Sequence, residues 1–294
     1  MGEHDPNAVL AFDVGGTRIK AGVVAGTAIE AFDVAPSQDG VLETITALGR
    51  TLLGERNDAT MVAIGAPGLA DGNVITALPG KLDALVGRDL GEFCTSTFGL
   101  PGFVVNDALA YGVGEAVAGA GKTGSRVVVI TIGTGVGVAC LVDGAPVTSG
   151  PVGGGILGGQ IPIAEISERR DSNGQWGTIE SLCCADRIVD GCHTTFGSVA
   201  EVFQAYGDGD VDALYGVDRY RRALIRALVA LAHAQAPDII VVGGGPLGED
   251  SPVLDGVEER VNAQLFPGYT VSIRPSALGD GAALIGLAHL ARSR

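Results

Sequence analysis

Two segments of this chain repeat one pattern, once in each half: a strand of β-branched and other apolar residues, a glycine turn, and a second apolar strand. They occupy residues 9–24, with the turn Asp13-Val-Gly-Gly-Thr17, and residues 127–142, with the turn Thr131-Ile-Gly-Thr-Gly135. Strand, glycine turn and strand predict a hairpin, and its recurrence predicts two related halves. Adjacent N–H groups without intervening side chains bind anions, so each turn is a candidate phosphate cradle. We therefore expect a nucleotide to be held between the two halves.

The bulk composition restricts the partners of the protein. Its 294 residues suit two lobes, and 46% hydrophobic with 18% charged residues suit a compact α/β protein. The formal net charge of −15 opposes nucleic-acid binding, which needs a Lys/Arg surface. No apolar run is long enough to span a membrane, and residues 1–6 do not resemble a signal peptide. We expect a cytoplasmic protein without nucleic-acid or membrane partners.

The five cysteines do not form a disulfide framework, because their number is odd and their spacing irregular. They are Cys94, Cys140, Cys183, Cys184 and Cys192. A metal site at 183–193 is conceivable, but it lacks the paired C-x-x-C spacing of zinc modules. We favour reduced thiols in the core.

Apolar strands alternate with helical segments, as in an α/β sheet whose ligands sit at the carboxyl ends of strands. Buried strands are predicted at 61–65, 103–105 and 238–245, the last ending in three glycines, and a long helix at 218–235. The predicted division gives a small lobe of residues 1–110 with 280–294, and a large lobe of residues 111–279.

The glycine turns carry the residues expected to bind a nucleotide. In the first, Asp13 follows a strand, where a carboxylate can hold hydrated Mg²⁺ beside phosphate oxygens, although an ordinary Asx turn is an alternative. The remaining candidates are backbone amides, hydroxyls and one cation: Gly15, Gly16, Thr17 and Lys20 in the first turn, Thr131, Gly133, Thr134 and Gly135 in the second, and Gly243, Gly244 and Gly245 after a later strand.

Asp107 is the candidate general base. A carboxylate at a strand end can accept the proton of a hydroxyl that attacks a γ-phosphate. An N-cap role is about equally compatible with its place at the start of a helix. Asn106 beside it offers a donor and an acceptor to a polyol.

On these residues the chain resembles the ROK (repressor, open reading frame, kinase) family of sugar kinases over nearly its whole length. The motifs that carry the resemblance are Asp13-Val-Gly-Gly-Thr-Arg-Ile-Lys20, Gly65-Ala-Pro-Gly68, Asn106-Asp107, Gly133-Thr-Gly-Val-Gly137, Gly243-Gly-Gly245 and Leu278-Gly-Asp-Gly-Ala282. The resemblance implies a two-lobed actin-like ATPase (ribonuclease H-like) fold of hexokinase type, ATP and Mg²⁺ as cofactors, and a homodimer. It also implies Asp107 as catalytic base, Gly65, Pro67, Gly68 and Asn106 at the sugar, and water-mediated Mg²⁺ binding by Asp13.

The chain departs from the family pattern where relatives bind a structural zinc. A Glu-x-Gly-His motif falls on Leu157-Gly-Gly-Gln160, and Cys-x-Cys-Gly-x-x-Gly-Cys-x-Glu falls on Asp171-Ser-Asn-Gly-Gln-Trp-Gly-Thr-Ile-Glu180. All four zinc ligands are replaced, so we predict no zinc. We expect packing around Trp176 to hold this loop instead.

The same departures alter the predicted sugar pocket. Leu157 replaces a sugar-binding glutamate, and a buried hydroxyl facing it loses a partner at a cost of roughly 1–3 kcal/mol. Gln160 replaces a histidine, while Glu180 is retained. We expect a kinase for a modified hexose or a C7 cyclitol rather than glucose, with the phosphoryl donor, ATP or another, left open. The alternative is a non-catalytic sugar sensor or pseudokinase.

Overall fold

A computed structural model describes residues 7–37, 40–55, 58–77, 82–148, 157–248 and 250–293. Residues 1–6, on which the expected lack of a signal peptide rests, lie outside this set. Of the described residues, those within 1–119, 144–156 and 280–294 form one compact unit, and those within 120–143 and 157–279 form the second. The first unit runs past the predicted boundary at residue 110 because the helix after Asn106 packs on the last helix.

The first unit is built on a mixed sheet of five strands in the order β3-β2-β1-β4-β7. Its strands are β1 (Ala8–Val14), β2 (Arg18–Ala25), β3 (Ala28–Pro36), β4 (Ala59–Ala66) and β7 (Gly102–Asn106). Outside this sheet the unit also contains a small hairpin of β5 (Leu69–Asp71) and β6 (Val74–Ala77) and the two-residue strand β10 (Ala145–Pro146). Strands β1, β4 and β7 are parallel, and β1 and β2 form the predicted hairpin. β1 is almost wholly buried, which explains its continuous apolar run.

The described part of the first unit contains four α-helices: α1 (Val41–Glu55), α2 (Leu90–Phe98), α3 (Asp107–Val117) and α9 (Ala282–Arg292). Helices α3 and α9 are in close backbone contact. A Cβ built on Gly114 would lie 1.9 Å from the Ala282 carbonyl oxygen, and one on Gly286 would lie 1.8 Å from that of Ala110. Glycine is therefore required on both helices, and α9 belongs to the same core as the first strands.

The second unit repeats the arrangement with strands ordered β9-β8-β11-β12. They are β8 (Arg126–Ile132), β9 (Val136–Val142), β11 (Ile239–Gly243) and β12 (Ser272–Pro275), and the helices are α4 (Ile179–Cys183), α5 (Arg187–Asp190), α6 (Val199–Gly207), α7 (Val211–Gln235) and α8 (Val257–Asn262). β8 and β9 form the second predicted hairpin, and β11 runs parallel to β8. The predicted long helix is α7, which begins earlier than expected because Asp210 caps it.

All five cysteines are free thiols, as expected, and four of them are buried. Burial raises the pKa of Cys184 to about 12, so this thiol stays protonated. Across the described ranges, no group of His, Cys, Asp and Glu side chains is arranged to hold a metal ion. None of the helices in the described part of the chain has the length and apolar character needed to cross a membrane.

Candidate active site

The carboxyl ends of three parallel strands bring the candidate acidic residues of the first unit together. In the sheet register, Asp13 of β1 lies beside Gly65 of β4, and Gly65 lies beside Val105 of β7. A Cβ on Gly65 would sit 3.6 Å from the Cα of Asp107. Asp13, Gly65 and Asp107 therefore share one edge of the sheet, where α/β proteins bind ligands.

The helix that begins at Asp107 is capped by its neighbour. Asn106 has extended backbone angles, and its Oδ1 accepts from the Leu109 N–H at 3.1 Å. Its Nδ2 donates to the Gly68 carbonyl at 3.1 Å, and Gly68 has a φ of +93°. The alternative role for Asp107 as the N-cap is therefore wrong. Asn106 makes the cap and fixes the 65–68 loop, which also contains Pro67.

The Asp107 carboxyl is half-buried, and its Oδ1 accepts from the Ala108 N–H at 2.8 Å. Loss of hydration, together with the negative charge of Asp13, raises the pKa of Asp107 to about 7. A carboxylate with this pKa is a much stronger proton acceptor than an ordinary aspartate at neutral pH.

Asp13 belongs to a cluster of charges around Lys20, its cross-strand partner in the hairpin. The Lys20 Nζ lies 3.2 Å from Asp13 Oδ2 and 3.0 Å from Asp280 Oδ1, and Arg18 lies 3.8 Å from the same Asp280 oxygen. Burial raises the pKa of Asp13 despite the lysine. Burial alone would lower the pKa of Lys20, but attraction to Asp13 and Asp280 outweighs this and raises it. The sequence did not indicate that Asp280 pairs with Lys20.

The glycine turns of both units leave the same pair of backbone donors exposed to a ligand. In the first turn the Gly15 N–H closes onto the Arg18 carbonyl at 3.0 Å. In the second the Gly133 N–H closes onto the Gly135 carbonyl at 2.9 Å. In each turn the next two N–H groups have no acceptor within the described ranges. They are those of Gly16 and Thr17 in the first turn, and those of Thr134 and Gly135 in the second. Adjacent free N–H groups are the feature expected of an anion-binding turn.

The third glycine segment lies beside the second turn. Gly243 is the cross-strand neighbour of Thr131 at the ends of β11 and β8. Gly244 has a φ of +109°, and a Cβ there would lie 1.9 Å from the Ile132 carbonyl oxygen, so only glycine fits. A Cβ on Gly245 would meet open space. The predicted nucleotide residues of the second unit thus gather at one sheet edge.

The residues predicted to shape the sugar pocket have different environments. Leu157 is 52% exposed and precedes the single helical turn Gly158–Gln160. Glu180 is buried at the start of α4. Its Oε2 accepts from the Val136 N–H at 3.2 Å and its Oε1 from the Ser172 N–H at 2.7 Å. Both Glu180 oxygens therefore bind backbone within the second unit, which sequence reasoning had not anticipated.

The loop from 171 to 178 is held by a buried aspartate. Asp171 Oδ1 accepts from the N–H groups of Asn173 and Gln175 at 2.9 and 2.8 Å, and its Oδ2 accepts from the Thr178 hydroxyl at 3.0 Å. Trp176 is 44% exposed, and the Arg170 guanidinium lies over its ring at 4.6 Å from the centroid. The expectation that Trp176 packing holds the loop is wrong, because side-chain hydrogen bonds hold it. The absence of zinc stays a prediction.

The model of the ROK family matches residues 9–294. The chain belongs to the ROK family. Its relatives include the N-acetyl-D-glucosamine kinase of Erwinia tasmaniensis, 29% identical over 87% of this chain and 89% of the relative. The glucokinase of Thermotoga maritima is 26% identical over 97% and 98%.

The fold matches that of a solved family member. The structure of a ROK family glucokinase from Streptomyces griseus in complex with glucose and AMPPNP superposes with a TM-score of 0.83, at 25% identity, covering 98% of this chain and all of the other. This confirms the predicted fold class, the mixed α/β two-sheet fold of the actin-like ATPase type. The two relatives and the solved structure named here are carbohydrate kinases, which supports the predicted class of activity.

Proposed function

We propose that the protein is a carbohydrate kinase that transfers the γ-phosphoryl group of ATP to a hydroxyl of a sugar or sugar-like polyol. The observation that carries the proposal is the Asp107 carboxyl. It lies at the same sheet edge as Asp13, with its pKa raised to about 7 by burial and by the Asp13 charge. No structural role observed for Asp107 requires that pKa, since Asn106 caps α3.

In this proposal Asp107 is the general base. Its deprotonated form accepts the proton of the acceptor hydroxyl as that oxygen attacks the γ-phosphorus, and the bond to the β-phosphate oxygen breaks. Protonated Asp107 cannot accept this proton, so activity falls as the pH drops below about 7. The bond from the Ala108 N–H fixes one carboxylate oxygen and orients the other.

The phosphates are assigned to the two glycine turns, whose paired N–H groups supply donors without a basic surface. Such local binding suits a chain with a net charge of −15. Asp13 offers carboxylate oxygens of the kind that Mg²⁺ prefers, and we propose that it holds the ion through water. Bound Mg²⁺ would neutralise charge on the β- and γ-phosphate oxygens.

For the acceptor we propose a ring that is less polar than glucose at one position, such as a modified hexose or a C7 cyclitol. Leu157 offers an apolar surface and no hydrogen-bond acceptor on its side chain. Gln160 lies close to it in the chain and Glu180 lies at the start of α4, but the Glu180 oxygens already accept two backbone bonds. The names of the relatives show that the family accepts more than one hexose.

A non-catalytic sugar sensor is the second candidate, since Leu157 and Gln160 depart from the family pattern. The raised pKa of Asp107 favours the kinase, because a sensor has no use for a poised base. A homodimer, expected from the family resemblance, remains a prediction that light scattering can check.

The test is ATP turnover with hexoses, amino sugars and cyclitols, measured for the wild type, Asp107→Asn and Asp33→Asn. Asp33 is a matched control, because its Oδ1 accepts the next residue's N–H at 2.8 Å, as Asp107 does, but it is exposed on β3. We expect turnover with at least one acceptor, retained in Asp33→Asn and lost in Asp107→Asn. Turnover equal in all three proteins, or in none, contradicts the proposal.

A further inference from the structure

The Asp171 loop and the second glycine turn are connected by a continuous path of hydrogen bonds. Asp171, Thr178 and Glu180 are each at most 8% exposed. Ser172 follows Asp171 and donates its N–H to Glu180 Oε1, while Glu180 Oε2 accepts from the N–H of Val136, the residue directly after the Gly133–Gly135 turn. One carboxylate therefore joins the loop to the turn.

Helix α4 braces the glycine turn at both of its ends. At its start, Glu180 binds the Val136 N–H, and a Cβ on Gly135 would lie 3.0 Å from Glu180 Oε2. Just past its end, the Ala185 N–H donates to the Gly133 carbonyl at 2.9 Å. The position of α4 thus determines the shape of the turn.

Asp171 in turn fixes where α4 starts. Thr178 is the N-cap of α4, and its hydroxyl oxygen accepts from the Ser181 N–H at 3.2 Å while donating its proton to Asp171 Oδ2. The other Asp171 oxygen holds the N–H groups of Asn173 and Gln175, which closes the loop on itself. A buried carboxylate with three donors is a rigid anchor, because each bond it loses leaves a buried polar group unpaired.

We propose that Asp171 is a positioning residue for nucleotide binding: acting through Thr178 and Glu180, it holds the Gly133–Gly135 turn in the conformation that presents the Thr134 and Gly135 N–H groups to a phosphate. The proposal rests on the proposed kinase function and deepens it. It assigns to a hydrogen-bonded aspartate the task of keeping this turn ready for its ligand.

The test uses a matched pair at the middle of the path. Thr178→Val removes the hydroxyl with little change of shape, and Thr178→Ser keeps it. We expect Thr178→Val and Asp171→Ala to raise the dissociation constant of an ATP analogue about tenfold, the effect of one lost buried hydrogen bond, and Thr178→Ser to restore wild-type affinity. Asn173→Ala is the control, because Asn173 contributes only its backbone N–H to the loop.

Binding is measured by calorimetry with AMPPNP, and stability in parallel by thermal unfolding. In steady state the KM for ATP should rise, while the KM for the acceptor and the acidic limb of the pH profile stay as in the wild type. A lower unfolding temperature with unchanged AMPPNP affinity would show that Asp171 is only structural and overturn the inference. Failure of the wild type to bind AMPPNP would instead contradict the proposed function, so the two failures are distinguishable.

Discussion

Replacing Asp107 by asparagine separates the catalytic use of this carboxylate from its effect on folding. The asparagine side chain has the same shape, and its Oδ1 can keep the bond from the Ala108 N–H. We expect kcat/KM to fall by about 10²–10⁴-fold, the typical contribution of a general base. We also expect the inactive variant to be more stable than the wild type at alkaline pH.

The size of this gain in stability follows from the pKa of Asp107. The ordinary value for an aspartate is 3.8, and in the folded protein the pKa is about 7. Because the folded pKa is the higher one, the folded state binds the proton more tightly, and the stability contributed by the group is lost as the pH rises from 3.8 to about 7. A difference of about 3 pKa units at 1.36 kcal/mol each gives a penalty of about 4 kcal/mol in the free energy of unfolding at pH 8. At pH 5 only about 2 kcal/mol of this penalty remains.

The assay is urea unfolding of the wild type and Asp107→Asn at pH 8 and pH 5, followed by circular dichroism. The free energy of unfolding of the variant should exceed that of the wild type at both values, by a margin about 2 kcal/mol larger at pH 8. Asp33→Asn should show no such margin, because its carboxylate is exposed. A margin that does not change with pH, or a variant less stable than the wild type at pH 8, would refute the reasoning.

Four further outcomes are expected. Asp13→Asn removes the charge that adds to the raised pKa of Asp107, so the acidic limb of its pH–activity profile should move to lower pH. Gly114→Ala forces α3 from α9 and should cost about 1–3 kcal/mol in urea unfolding, whereas Gly54→Ala, with open space around it, should stabilise α1 by about 0.5–1 kcal/mol. Leu157→Glu should lower the KM for glucose about tenfold in the coupled ATP assay, since it adds an acceptor for a hydroxyl. Elemental analysis should find far less than one zinc per chain, and a chelator should leave the unfolding temperature unchanged.

The features that depend on local sequence pattern could be predicted from the sequence alone. Apolar strands around glycine turns predicted both hairpins, and the polar residues that follow strands predicted that Asp13 and Asp107 each lie at a strand end. An N-cap role for Asp107 was an alternative, but the cap of α3 is the preceding residue, Asn106. Both residue types are good caps, and only the backbone angles distinguish them.

Contacts between distant segments could not be predicted in the same way. Nothing near Lys20 in the sequence indicates that Asp280 shares it, since the contact depends on how α9 packs in the first unit. Trp176 suggested a packed loop because it is large and apolar, yet the loop is held by Asp171, whose small side chain satisfies three donors. An Asx-type arrangement of this kind has a weak sequence signal, a single aspartate followed by asparagine and glycine.

The glycine contacts between α3 and α9 also set an order of events during synthesis. The first strands leave the ribosome early, but their core lacks α9 until almost the whole chain has been made. The second unit consists of Ala120–Asp143 and Leu157–Gly279. All of it precedes α9 in the chain, so it can finish folding first. The ion pair of Lys20 with Asp280 cannot form before then. The acidic edge that carries Asp107 is consequently completed last, and a ribosome-bound nascent chain that has not yet released residues 280–293 should lack it.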